Sequence, residues 1–95
     1  MTDADILSLL QVDLGEMFPS ESRTAYLQQC IGAAKEFITR EGIALAETLE
    51  DAQLVEMYAA YLVRKRATTE PMPRMLRWAL NNRLFSQKVV MDNAP

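Results

Sequence analysis

The sequence contains no histidine and only one cysteine, and these shortages exclude several common kinds of catalytic and metal-binding site. Without histidine there can be no Ser-His-Asp triad, no Cys-His pair and no zinc site that uses imidazole ligands. Cys30 alone can form neither an internal disulfide nor a thiolate cluster, and its place in a helical apolar pattern is typical of a small core residue. We therefore expect no catalytic residue, no metal and no cofactor, and we do not expect an enzyme.

Glycine and proline are also scarce, with three and four residues in a chain of 95. A composition so poor in both is atypical of disordered or loop-rich chains, and the length is that of one domain. The chain lacks the roughly 20 consecutive apolar residues of a membrane-spanning helix. Its first residues, MTDAD, are acidic and polar, unlike those of a signal peptide. We expect one domain that is made in the cytoplasm and has no membrane partner.

Charge is distributed unevenly along the chain, whose net charge is −3. Residues 1–63 hold eleven acids and three bases, whereas residues 64–88 hold seven bases and one acid. Such asymmetry is typical of chains that meet a charged partner. Part of it has a simpler explanation, because basic residues near the C-terminus of a helix stabilise the helix dipole. Arg64, Lys65 and Arg66, which end a predicted helix, fit either interpretation.

Hydrophobic spacing predicts four α-helices and therefore an all-α fold. Thr2, Ser20 and Thr48 are placed to cap the first three helices, and Thr2 and Thr48 each precede an aspartate by three residues, as in a capping box. Gly42 follows the second helix at a position that favours a left-handed cap. The predicted helices span about 3–10, 21–41, 49–67 and 73–87.

The third predicted helix is apolar almost all the way round, with Leu54, Tyr58 and Leu62 among its apolar residues. A helix of this kind lies at the centre of its domain or is buried by a second protein. We expect the second and third helices to pack antiparallel at the centre of one small four-helix domain over residues 1–87. Residues 88–95 lack a helical period and include apolar, β-prone residues, so we expect an extended C-terminal tail that contacts a partner.

Four stretches of the sequence resemble one protein family. They are ILSLLQVDLG and YLQQCIGAAKEFITREGI in the first half, and YAAYLVRKR and MPRMLRWALNNRLFSQK in the second. Together, over about Asp5 to Lys88, they are similar to the small head–tail connector (adaptor) proteins of tailed double-stranded DNA phages and prophages. The resemblance implies a structural subunit of the virion, made in the cytoplasm of the host bacterium, that forms a ring beneath the portal and joins the DNA-filled head to the tail.

The partners that this resemblance implies are the portal protein, neighbouring subunits of a homo-oligomeric ring (a dodecamer is one candidate size) and a downstream tail-completion protein. DNA would pass through the ring without specific binding. The alternative is a small helical nucleic-acid-binding phage protein, such as a regulator or DNA-packaging accessory, because the basic segment can bind phosphates. The net charge of −3 and the shortage of residues that could read base edges argue against this alternative.

The candidate partner interface combines basic residues, one aromatic residue and the apolar part of the tail. Arginine binds carboxylates through two parallel hydrogen bonds, and tryptophan is common at interface hot spots. Core packing is the alternative for Trp78, as it is for Tyr58 and Tyr61, and for Met75 we expect core packing. The candidate interface residues are Arg64, Lys65, Arg66, Arg74, Arg77, Trp78, Arg83, Val89, Val90 and Met91.

Overall fold

The computed structural model describes residues 2–67, 69 and 71–92, and within these residues the regular secondary structure is entirely helical. The prediction of a small all-α domain with four helices is confirmed. No helix in the described part of the chain is both long and apolar enough to cross a membrane. The helices are α1 (Asp3–Asp13), α2 (Glu21–Arg40), α3 (Leu49–Ala67) and α4 (Arg74–Asp92).

The first two helices begin where the sequence predicts. Thr2 and Asp5 form a complete capping box, since the Thr2 hydroxyl accepts a hydrogen bond from the Asp5 amide (3.2 Å) and the Asp5 carboxylate accepts one from the Thr2 amide (3.0 Å). The Ser20 hydroxyl accepts a hydrogen bond from the Arg23 amide (3.1 Å) at the start of α2. After α2 the chain turns at Gly42, whose φ of +97° is a conformation that favours glycine.

The capping box predicted at the start of α3 is only half formed. The Thr48 hydroxyl accepts a hydrogen bond from the Asp51 amide (3.1 Å), as predicted. The Asp51 carboxylate, however, accepts hydrogen bonds from the Ala46 amide (2.7 Å) and from Arg83 on α4 instead of the Thr48 amide. This carboxylate therefore joins α3 to α4, and the prediction that it caps its own helix is wrong.

α3 lies at the centre of the domain and packs against each of the other three helices. α2 runs antiparallel to it, because Tyr26 near the start of α2 lies beneath Arg66 at the end of α3, and Phe37 near the end of α2 stacks on Tyr58 (5.8 Å between ring centroids). The predicted central antiparallel pair is thus confirmed, as is Cys30 in the core. The apolar residues that α2 and α3 bury are Leu27, Cys30, Ile31, Ala34, Ile38, Ala52, Leu54, Val55, Tyr58, Ala59, Ala60 and Val63.

Two helices end later than predicted. α1 continues to Asp13, about one turn beyond its predicted end. α4 continues to Asp92, so the prediction of an extended tail is wrong for residues 88–92, while residues 93–95 lie outside the described part of the chain. The helix contains neither glycine nor proline, and each residue added to an existing helix gains a hydrogen bond. This gain outweighs the small cost of placing β-branched valines in a helix.

Candidate interaction surface

α4 runs antiparallel to α3 and contributes two leucines, Leu76 and Leu80, to the core. Leu76, near the start of α4, shares a groove with Lys65 near the end of α3. Further along α4, Arg83 reaches Asp51 in the first turn of α3. The inward side of α4 therefore combines apolar packing near the start of the helix with a polar contact further along.

The ion pair between Asp51 and Arg83 is almost completely shielded from solvent, with side-chain exposures of 2% and 15%. Two parallel hydrogen bonds join the pair, from Nε to Oδ1 (2.7 Å) and from Nη2 to Oδ2 (3.1 Å), and Nη2 also donates to the Ala44 carbonyl oxygen (2.8 Å). Burial alone would raise the pKa of Asp51, but the hydrogen bonds from Arg83 and the Ala46 amide outweigh it and hold this pKa below its usual value. The pair is therefore ionised and fastens α4 to α3.

Two further polar contacts connect α4 to the segment between α2 and α3. Arg77 forms an ion pair with Glu41, the residue that follows α2. The Gln87 side chain donates a hydrogen bond to the Gly42 carbonyl oxygen (2.8 Å) and accepts one from the Ala44 amide (2.7 Å). Because these contacts satisfy backbone groups at a helix end and a turn, they set the rotation of α4 about its own axis.

The opposite side of α4 exposes a row of four large apolar side chains. Met75, Trp78, Phe85 and Val89, which we call the outer stripe, are 74%, 62%, 68% and 38% exposed. Their spacing of three, seven and four residues aligns them along one side of the helix, with Asn82 between Trp78 and Phe85. At 1.5 Å per residue the row is about 21 Å long. An exposed apolar row of this length is typical of a surface that binds a partner.

Basic residues lie beside the outer stripe. Arg74 and Lys88 each directly precede a stripe residue, both are exposed, and neither forms an ion pair or a hydrogen bond with another described residue. Asn81 is engaged within the helix, because its side-chain oxygen accepts a hydrogen bond from Arg77 (3.2 Å). The outer side of α4 is therefore apolar along much of its length, with Arg74 beside its first stripe residue and Lys88 beside its last.

Three of the predicted interface residues lie together at the end of α3, apart from this surface. Arg64 is 3.5 Å from Asp13 at the end of α1, so it contributes to the seam between α1 and α3. Lys65 and Arg66 lie over tyrosine rings, 5.6 Å and 4.9 Å from the ring centroids. All three are exposed, and they form a basic group on a different helix from the outer stripe.

On α4 the predicted interface residues are divided between two sides of the helix. Arg77 and Arg83 turn inward to carboxylates, so we leave them out of the proposed surface. The side chains of Val90 and Met91 lie outside the part of the structure that is described. The predicted residues that lie on the outer side are Arg74, Trp78 and Val89.

Sequence reasoning missed two residues of the outer stripe. The expectation that Met75 fills the core is wrong, because this side chain is 74% exposed, and Phe85 is absent from the predicted interface. Of the two alternatives for Trp78, the structure excludes core packing, whereas Tyr58 is buried. The spacing of the stripe was the available signal, since leucines elsewhere on α4 already supply a core-facing side.

A second exposed apolar group lies at the end of α1 and in the connector to α2. Leu9, Val12, Met17 and Phe18, which we call the corner patch, are 38%, 79%, 82% and 93% exposed. Residues 1–22, which hold the patch, contain five acidic residues and no basic residue; ion pairs with bases outside this segment neutralise three of the acids and leave Asp5 and Glu21. The corner patch and the outer stripe therefore resemble each other in apolar exposure and differ in the sign of the surrounding charge.

A poorly satisfied carboxyl group lies in the seam between α1 and α3. Oε1 of Glu56 is buried and has no hydrogen-bond partner among the described residues. Burial, followed by a hydrogen bond to Asp13 and by the charge of Asp13, raises the pKa of Glu56 to about 8, and Arg64 offsets only part of this rise. Glu56 is therefore protonated at neutral pH, and its ionisation at alkaline pH is expected to weaken the seam.

Comparisons with known proteins assign the chain to no family, since no protein-family model, no curated protein and no solved structure matches it. Within the residues that the structure describes, no group of three or more acidic or cysteine side chains could hold a metal ion. Function therefore has to be inferred from the two exposed apolar surfaces and from the charge around them.

Proposed function

We propose that this chain is a structural virion protein, a head–tail connector subunit that forms a ring below the portal of a tailed phage. The observation that carries the proposal is the outer stripe, because a long row of exposed apolar residues on an anchored helix is typical of a surface that binds another protein. The resemblance of about Asp5 to Lys88 to connector proteins supports it. The proposed partners are the portal protein, neighbouring subunits and a downstream tail-completion protein.

Ring assembly places a specific demand on the subunit surface. Identical subunits in a ring meet head to tail, so each subunit needs two different surfaces that complement each other. This chain has an apolar patch in an acidic segment and an apolar stripe on a basic helix. Its net charge is −8 over residues 1–63 and +6 over residues 64–88, and after the ion pairs within the chain are set aside, Asp5 and Glu21 remain in the segment of the patch and Arg74 and Lys88 beside the stripe.

A connector must also let DNA pass. Each phosphate that a protein neutralises strengthens DNA binding through the release of counterions, so a channel wall should present few free cations. The net charge of this chain is −3, and two of its arginines, Arg77 and Arg83, are paired with carboxylates. Both features support a conduit that does not bind DNA tightly.

The second candidate function is that of a small helical nucleic-acid-binding phage protein. Arg74 and Lys88 favour it, because both are exposed and neither has a partner among the described residues. A recognition helix, however, carries polar side chains that read base edges beside such basic residues. Here the exposed aromatic side chains of Trp78 and Phe85 lie on the outer side of α4, between Arg74 and Lys88, and this favours a protein partner.

Electron microscopy of the purified protein, with and without the portal protein encoded in the same genome, tests the proposal. We expect monomers or small oligomers for the protein alone. With the portal present we expect a ring, because the portal gathers subunits and raises their local concentration. A folded protein that fails to bind the portal over a wide range of concentrations would contradict the connector function.

A DNA mobility-shift assay at several salt concentrations separates the two candidates. The matched variant combines Arg74→Glu and Lys88→Glu, which reverses the unpaired charges of α4 and leaves the ion pairs of Arg77 and Arg83 intact. We expect weak binding of duplex DNA by the wild-type protein and little change in the variant. Tight, salt-sensitive binding that the variant loses would favour the nucleic-acid-binding function.

A further inference from the structure

The exposed apolar residues of this domain are concentrated in two places. Ten large apolar side chains are exposed among the described residues, and four of them form the corner patch while four form the outer stripe. Scattered single residues of this kind are normal on a protein surface, but two separate groups of four are not. The concentration suggests that both groups are covered by protein in the assembled state.

We propose that the outer stripe of one copy binds the corner patch of a second copy, so that each junction joins two different faces. This inference deepens the proposed function, because it assumes that the chain assembles with itself and names the surfaces that meet. In any open chain of subunits, the subunit at one end has an unoccupied outer stripe and the subunit at the other end has an unoccupied corner patch. The contact can therefore repeat from copy to copy, and it gives a closed ring if the rotation between neighbours allows closure.

Charge complementarity identifies the second copy as the occupant of the outer stripe. α4 contains four basic residues, and its only acidic residue is Asp92 at its last position. Residues 1–22, which hold the corner patch, contain five acidic residues and no basic residue, and two of these acids, Asp5 and Glu21, have no ion pair within the described chain. Bringing the two segments together places opposite charges around an apolar centre, which is the arrangement that favours association and fixes the orientation of the partners.

The same charges argue against pairing between two copies of the outer stripe. Such a pair would bring Arg74 and Lys88 of both copies into one interface, with no carboxylate before Asp92 on either helix. Like charges placed together across an interface cost free energy and suppress that mode of binding. Two copies of the corner patch would lack charge complementarity as well, since the acids of residues 1–22 that have no ion pair, Asp5 and Glu21, would be present on both sides.

The dimensions of the stripe suit an aromatic side chain from the patch. Trp78 and Phe85 are seven residues apart, or about 10 Å along the helix, with the smaller side chain of Asn82 between them. An aromatic ring placed midway would lie about 5 Å from each, within the range of favourable aromatic pairs. Phe18, which is 93% exposed, is the aromatic residue of the corner patch and therefore the ring that would enter this gap.

Cysteine cross-linking tests the contact even if it is weak. In a Cys30→Ala background, which removes the one natural cysteine, we would prepare a Phe18→Cys chain, a Phe85→Cys chain and a Thr39→Cys chain. Thr39 is exposed on α2 and belongs to neither surface, so the third chain measures random collisions. Each pair of chains is mixed in equal amounts and oxidised, and the disulfide-linked products are counted by mass.

The expected result is that the mixture of Phe18→Cys and Phe85→Cys gives the mixed dimer well above the half of the products that random pairing yields. Mixtures with Thr39→Cys should give only the random proportion. Two results would overturn the proposal. One is a random yield for the first mixture, and the other is an excess of the Phe85→Cys dimer with itself, which would show that two outer stripes meet.

Complementation of two damaged surfaces gives an independent readout. Phe18→Asp damages the corner patch and Phe85→Asp damages the outer stripe, and each variant alone should be a folded monomer by circular dichroism and sedimentation. In a mixture, the intact outer stripe of the Phe18→Asp chain can bind the intact corner patch of the Phe85→Asp chain. The two remaining surfaces are both damaged, so the mixture should form a dimer and nothing larger. If the Phe18→Asp chain still associates with itself as the wild-type protein does, the corner patch is not part of the contact.

The outcomes separate this inference from the proposed function. Rings on the portal without the specific cross-link would leave the connector function intact and overturn the surfaces named here. The specific cross-link without any binding to the portal would support the surfaces named here and contradict the connector function.

Discussion

The two long sides of α4 differ in how their polar and apolar groups are satisfied. The inward side carries Arg77, Arg83 and Gln87, and each of these long polar side chains forms hydrogen bonds with the rest of the domain. The outward side carries the apolar outer stripe, which is largely exposed. The polar groups of the inward side are thus satisfied within the chain, while the apolar side chains of the outer stripe remain exposed.

This difference shows that apolar residues alone do not determine which side of a helix faces the core. α4 has apolar residues on both sides, and the inward one is distinguished by three polar side chains that match carboxylates and backbone groups of the α2–α3 segment. Leaving the buried carboxylate of Asp51 unpaired would be costly, so its match to Arg83 favours this side of α4 over the burial of larger apolar side chains. As a consequence, the apolar side chains of the outer stripe are left exposed to solvent in the isolated chain.

The largest expected loss of stability concerns the buried ion pair on the inward side of α4. Arg83→Ala leaves the buried carboxylate of Asp51 without its main partner, and loss of one member of such a pair costs about 3 to 5 kcal/mol. Urea unfolding should show this loss. The double variant Asp51→Leu with Arg83→Met, which removes both charges, should recover much of the stability. A loss below about 1 kcal/mol for Arg83→Ala would mean that solvent reaches the carboxylate.

Truncating one apolar residue on each side of α4 compares what the two sides contribute to the free energy of unfolding. Leu80→Ala removes a completely buried side chain and should cost about 2 to 5 kcal/mol of unfolding free energy. Phe85→Ala removes a larger side chain that is 68% exposed, and we expect a change within about 0.5 kcal/mol of zero. Thermal or urea unfolding of dilute protein measures both. Similar losses in the two variants would show that the outer stripe is buried within the chain.

The seam between α1 and α3 contains a carboxyl group, Glu56, whose ionisation is disfavoured by burial and by Asp13 and only partly favoured by Arg64. The pKa of Glu56 in the folded protein is about 8, above its ordinary value of 4.5, so the folded state holds the proton more tightly than the unfolded state. Stability should therefore fall as the pH rises from about 5 to 9. Glu56→Gln removes this titration and should be more stable than the wild type at pH 9 by roughly 1 to 3 kcal/mol, a gain that shrinks towards pH 5.

The pH experiment has an internal check, because Asp51 titrates in the opposite sense. Its lowered pKa means that the contribution of its ionised form is present at neutral pH and is lost only as the pH falls into the acid range. Urea unfolding of the wild type and of Glu56→Gln at pH 5, 7 and 9 measures the difference between them. An equal difference at all three values would show that the Glu56 carboxyl group does not titrate in this range.

The smallest expected effect concerns the more exposed polar contact of the inward side. Arg77 is 41% exposed in its ion pair with Glu41, and exposed pairs contribute about 1 kcal/mol or less. Arg77→Ala should therefore cost no more than this, and Arg74→Ala, which removes no intrachain pair, should leave stability unchanged. A cost for Arg77→Ala as large as that for Arg83→Ala would mean that the whole inward side acts as one cooperative polar network.

Part of the candidate site could be predicted from the sequence. Trp78, Val89 and Arg74 were identified as interface candidates from residue type and charge, and they lie on the outer side of α4. Arg77 and Arg83 were candidates for the same reason, yet they turn inward. Residue type alone cannot separate these arginines, because an arginine suits a carboxylate equally well in its own chain and in a neighbour.

The four helices, the first residues of α1, α2 and α3, and the central position of α3 could be predicted from the sequence. Caps act between residues three apart, as at Thr2 and Asp5, and helical periodicity reports which residues share a side. The tertiary structure alone decided that Asp51 binds Arg83 rather than completing its own capping box, and that the stripe faces outward. These residues are 32 positions apart, so their pairing depends on how whole helices pack, which no local pattern encodes.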